Sequence, residues 1–93
     1  MSKESEFYEK LKISLSETTT FPTRYLYKFI VESSVEKVAE IETFFNNMGA
    51  VIDKKASSSA KYTSLSIYVT MNSPEEIVEK YIEVSKVEGV ISL

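Results

Sequence analysis

The chain has no cysteine and no histidine. The first absence removes disulfides, thiolate chemistry and iron–sulfur clusters. Together they remove the usual zinc and copper ligands and any Ser-His or Cys-His nucleophile. No metal site and no cofactor are therefore expected. Only two glycines and two prolines occur, too few for a glycine-rich phosphate loop. No apolar run approaches the ~18–20 residues that cross a bilayer, so no membrane segment is expected. Basic residues, 11 against 14 acidic, leave a net charge of −3. That balance argues against nucleic acid as the main partner. The start, Met-Ser-Lys-Glu-Ser-Glu, is polar and acidic, unlike a signal peptide, and a cytoplasmic location is expected.

What is present reads as one small globular domain. Ninety-three residues with 43% hydrophobic and 27% charged content support one modest core. Its organising stretch is Ser58–Met71. From Tyr62 onward it alternates: Tyr62, Ser64, Ser66, Tyr68 and Thr70 point one way, and Thr63, Leu65, Ile67, Val69 and Met71 the other. Period two with β-branched and aromatic residues predicts a long, central strand with one apolar face.

A weak internal repeat, offset by forty residues, surrounds that strand. Ser33-x-x-Glu36 and Ser73-x-x-Glu76 each fit a helix-capping box. Pro74 suits a first helical position. Gly49 and Gly89 suit left-handed caps after the two helices. Tyr25, Tyr27, Phe29 and Val31 match Leu65, Ile67, Val69 and Met71 as apolar strand faces. The spacing predicts helices over Ser34–Met48 and Pro74–Val87. The first should bury Val35, Val38, Ile41, Phe45 and Met48, the second Ile77, Val78, Tyr81 and Val84. Two strand–helix–strand halves give βαββαβ, a ferredoxin-like α+β sandwich. Its four-stranded antiparallel sheet carries both helices on one face. Right-handed crossovers put the first and third strands in the middle.

The domain is expected to cover residues 21–93, with residues 1–20 as an N-terminal helical extension. There Phe7, Leu11 and Leu15 form a helical stripe, and a helix over Glu4–Ser14 is expected. Thr18-Thr19-Thr20 should resist helix, and Pro22 should hold Phe21 extended.

Two groups could meet a partner. On the uncovered sheet face, Leu26, Lys28 and Ile30 should lie beside Ser64, Ser66 and Tyr68. A lysine among hydroxyls can hold a carboxylate or phosphate, and the apolar members suit docking. The second group is a Ser-rich, positive loop before the long strand, with Lys54, Lys55, Ser57, Ser58, Ser59 and Lys61. No acid/base couple stands out among the carboxylates, so no catalytic residues and no enzyme are expected.

Several motifs together also resemble the bacterial YbeD-like family. They are Phe21-Pro22-Thr23, Tyr27-Lys28, Ser57-Ser58, Tyr62 and Ser64-Leu65-Ser66-Ile67, with a last strand ending at Leu93. The resemblance spans Phe21 to Leu93. The family's usual Ser-Ser-Lys-Gly loop is departed from, because Ser59 and Ala60 stand in place of its Lys and Gly. The resemblance implies a small cytoplasmic protein of unknown function with a ferredoxin-like fold similar to ACT-type regulatory domains. The leading expectation is a non-enzymatic, ACT-like regulatory or protein-interaction domain. The alternative is a sensor of amino acids or small anions at the loops Glu32–Ser34 and Asn72–Ser73, and the third is an RNA-binding module. The partner would be a protein or a small ligand. Homodimerisation through a sheet edge is a further expectation, with Val90–Leu93 at one edge and Lys54 and Lys55 protecting the other.

Overall fold

The computed structural model describes residues 3–93, with side chains from residue 5. The order is α1 (Lys3–Thr18), β1 (Thr23–Glu32), α2 (Val35–Thr43), β2 (Val51–Ala56), β3 (Tyr62–Met71), α3 (Pro74–Ser85) and β4 (Ile91–Ser92). The strands form one antiparallel sheet in the order β2-β3-β1-β4. This is the ferredoxin-like arrangement, with the two long strands central.

The β1–β3 register sets the layers. Tyr27 faces Ile67 and Phe29 faces Leu65, and all four are fully buried. With Val31, Val69 and Met71 they form the floor of the core. Ile41 closes it from α2, Phe45 from the turns after that helix, and Ile77, Tyr81 and Val84 from α3. Burying an aliphatic or aromatic side chain of this size contributes about 1.5–3 kcal/mol. The phenols within the core are satisfied. Tyr27 donates to the Ile77 carbonyl at 2.9 Å, and the hydroxyls of Tyr25 and Tyr81 bond each other at 2.8 Å. Burial pushes the Tyr27 and Tyr81 phenols far above the usual tyrosine range.

The helix starts differ in an instructive way. At α3, Ser73 Oγ accepts from the Glu76 N–H at 3.2 Å, while Glu76 Oε2 accepts from the Asn72 N–H at 2.9 Å. Pro74 takes the first position. At α2 the cap is Ser34, which accepts from the Lys37 N–H. The expected cap, Ser33, instead bonds Thr63 across to β3 at 2.9 Å. The helix therefore starts one residue later, and Val35, expected on the covered face of that helix, is 88% exposed. α2 also ends at Thr43, with turns through Gly49 rather than helix to Met48. Lys80 holds that end, donating to the Phe44 carbonyl at 2.7 Å. Gly49 and Gly89 both take the left-handed conformation, at φ +70° and +80°.

α1 runs past the expected Ser14 to Thr18. Thr18 bonds back to the Ser14 carbonyl, so the hydroxyl supports the turn that β-branching was expected to break. The first two residues of the expected extension lie outside the described residues. α1 packs on α3, in the helical layer. Tyr8, Leu11 and Leu15 face inward, whereas Phe7, expected on the buried stripe, is 59% exposed and meets Tyr8 edge-on. Among the described residues, no helix is long and apolar enough to cross a membrane.

Candidate binding face

Among the described residues, no helix lies on the second sheet face. Alternation along the strands puts the even positions of β1 and β3 and the odd positions of β2 there. Three cross-strand rows result: Val51, Tyr68 and Leu26; Asp53, Ser66 and Lys28; Lys55, Ser64, Ile30 and Ile91. The six residues read from the sequence (Leu26, Lys28, Ile30, Ser64, Ser66, Tyr68) thus lie side by side in three adjacent pairs. β2 and β4 add Val51, Asp53 and Ile91, which the sequence reading did not include, and Lys55, which it placed in the Ser-rich loop. The three β2 positions follow from the register once the hairpin closes at Ser57 and Tyr62, a closure the polar sequence of β2 does not reveal.

Lys28 sits at the middle of the face, exposed, with Leu26 and Ile30 on either side along β1. Among the described residues it makes no ion pair, since the four lysines so engaged are Lys12, Lys37, Lys54 and Lys80. Tyr68 is steadied by the Arg24 guanidinium, 5.3 Å from its ring centroid, a cation–π distance. Ser64 donates to the Lys55 carbonyl at 3.3 Å. The face is partly apolar at its margins, where Val51 and Ile91 are each more than half exposed.

The Ser-rich loop is shorter than expected. Lys54 and Lys55 lie in β2, not in the loop, which runs over residues 57–61. A lysine-rich edge strand has no apolar alternation to reveal it, so the sequence pattern reads as loop. The strand sends the two lysines to opposite sides. Lys54 goes to the helical side, 3.2 Å from Glu42, and Lys55 to the open face opposite Ser64. The loop folds on itself. Ser57 N–H donates to the Tyr62 carbonyl at 2.8 Å, Ser57 Oγ accepts from the Tyr62 N–H at 3.2 Å, and the Ala60 N–H donates to the Ser57 carbonyl. Ser59 Oγ lies 3.4 Å from Ser57 Oγ. A groove of about 610 Å³ runs from this loop onto the face, bordered by Lys55, Ser57, Ser58 and Tyr62 with Ile30 and Ser64. The structure therefore joins parts of the two candidate groups into one site. Lys61 and Ala60 border a separate hollow with Glu32, Ser33 and Ser34.

The loops entering the helices are already occupied. Ser34 and Ser73 cap α2 and α3, and the Asn72 N–H is taken by Glu76. Among the described residues, no group of three or more carboxylates could hold a metal ion.

Sheet order, bare face and covered face define a small ferredoxin-like α+β sandwich with one free, mixed polar and apolar sheet surface. The chain belongs to the family described as "Protein of unknown function (DUF493)", which matches over residues 16–93 and so takes in all four strands, α2 and α3. This is the family to which the motifs between Phe21 and Leu93 pointed. The chain is also similar to a UPF0250 protein of Shewanella woodyi, 30% identical over 90 residues, covering 86% of this chain and 94% of the relative. No solved structure matches.

Proposed function

We propose that this protein is a non-enzymatic, ACT-like interaction or regulatory module of the cytoplasm, and that its open sheet face docks a partner protein. One observation carries the reading. An ion-unpaired lysine, Lys28, stands between Leu26 and Ile30 and opposite Ser66, on the two central strands. A cation and hydroxyls framed by apolar side chains complement a surface carrying a carboxylate among apolar residues. The strands that hold them are hydrogen-bonded on both sides, so docking would lose little ordering entropy. The packing of α1 on α3 supports the reading, because the extension leaves this face free.

Capture from a lysate of the source organism tests it, using wild-type and Lys28→Glu baits. A partner retained by wild type and lost by Lys28→Glu supports docking. Equal retention by both baits argues against it.

The groove beside Ile30, Lys55 and Ser64 favours a second reading, a sensor of a small anion bearing an apolar group. A thermal-shift screen with amino acids and phosphorylated metabolites separates the two. A stabilising ligand that Lys55→Ala abolishes favours the sensor, and no shift across the set rejects it.

A further inference from the structure

The sheet has two edges of unequal character. β4 is two residues long and offers little. β2 is six residues long and exposed almost throughout. Its free hydrogen-bonding groups follow from the hairpin. The Ser57 N–H to Tyr62 carbonyl bond makes that pair hydrogen-bonded, and antiparallel pairs alternate. Val51, Asp53 and Lys55 therefore turn their backbone groups toward β3. Ile52, Lys54 and Ala56 turn theirs outward, with no strand beyond them among the described residues. Long edges of this kind are usually blunted by lysine. Here the lysine on the helical side, Lys54, is already held by Glu42 at 3.2 Å. On the open face the edge carries Asp53 and Lys55, and neither is ion-paired among the described residues.

We infer that β2 pairs antiparallel with β2 of a second copy of this chain, about a two-fold axis at Lys54. Charge selects the register. An axis at Asp53 would set Asp53 against its own copy, and an axis at Lys55 would oppose two unpaired lysines. An axis at Lys54 sets each Asp53 directly opposite the other chain's Lys55, twice. These are non-hydrogen-bonded pairs, whose Cα atoms lie about 4.5 Å apart, where opposite charges attract. In the same register Ile52 and Ala56 exchange backbone hydrogen bonds with Ala56 and Ile52 of the other copy. Lys54 meets its own copy on the helical side, and there each lysine keeps its Glu42.

A second feature lies at the same axis. Between α2 and β2 runs a groove of about 340 Å³ bordered by Val35, Val38, Ala39 and Lys54. The exposed Val35 is unexplained by the fold of one chain. Because Lys54 stands on the axis, the grooves of both copies would meet there and cover apolar surface along α2. The product is an eight-stranded sheet with one continuous open face. Its two Lys28 side chains would be separated by five strand spacings, roughly 24 Å. The pairing uses neither Lys28 nor its neighbours, so it stands or falls apart from partner docking.

Sedimentation of the full chain at micromolar concentration tests the inference, and a dimer is expected. Asp53→Lys should weaken it by on the order of tenfold, by replacing two attractive pairs with like charges. The reciprocal exchange, Asp53→Lys with Lys55→Asp, should restore it. Lys54→Pro removes an outward N–H that β3 does not use, a substitution edge strands accept. It should give a folded monomer by circular dichroism. The absence of cysteine makes crosslinking clean. A mixture of Asp53→Cys and Lys55→Cys chains should form the mixed disulfide in preference to either self-disulfide. A wild-type monomer at every concentration overturns the inference. So does a dimer indifferent to both Asp53→Lys and Lys54→Pro, since it would use another surface.

Discussion

Ile67→Ala tests the facing of the central strand, on which both layers depend. Ile67 is fully buried, with Tyr27 beside it on β1 and Ile52 on β2. The substitution removes three carbons, worth about 2.4 kcal/mol at ~0.8 kcal/mol each. It also leaves a cavity that the ladder bonds of β3 to β1 and β2 keep from collapsing fully, so the total cost should reach about 2–5 kcal/mol. Set against the roughly 5–15 kcal/mol typical of a small domain, that is a large share. Ser66, the preceding residue, points to the open face and is only half buried. Ser66→Ala should change stability by less than about 0.5 kcal/mol. Urea unfolding followed by circular dichroism measures both, with an unchanged slope showing that the unfolded state is the same. Equal costs at the two positions would refute the assignment of faces.

Two further outcomes follow from buried or strained groups. Tyr27 and Tyr81 have phenols raised far above their ordinary value by burial. Their unfolded pKa is about 10, so below that pH their contribution is complete. Above it the unfolded chain loses these protons first, and stability should fall by about 1.4 kcal/mol per pH unit for each phenol. A urea midpoint that stays flat from about pH 9 to about pH 11 contradicts this. Ala60 holds φ at +59°, a conformation costing a side chain roughly 1–2 kcal/mol. Ala60→Gly should stabilise by up to about 1 kcal/mol after the extra unfolded-state entropy of glycine. A loss of stability in thermal unfolding would show that the loop does not keep this conformation.

Strand faces were the most legible part of the sequence, because alternation in Tyr62–Met71 and in Tyr25–Val31 maps directly onto burial. Both helices were legible from amphipathic spacing, and sheet order followed from handedness. Two of the errors arose where neighbouring residues offer the same chemistry. Ser33 and Ser34 can each cap a helix, and only the contact of Ser33 with Thr63 decides between them. Phe7 and Tyr8 both adjoin the Leu11–Leu15 stripe, and only the position of α3 decides which turns inward. The composition of the open face was legible at its centre and not at its margins. Asp53 and Lys55 join it through the register of a polar edge strand that leaves no hydrophobic signature.

Covalent labelling of lysine amines, read by mass spectrometry, tests the docking face even while the partner is unidentified. The purified chain and the chain in a lysate of its source organism are labelled in parallel. Lys28 and Lys86 are both exposed in the single chain. In the lysate, labelling of Lys28 should fall while that of Lys86, on the far side beyond α3, stays the same. Lys28 labelled equally in both samples would contradict the assignment of the open sheet face as the surface where this protein meets its partner.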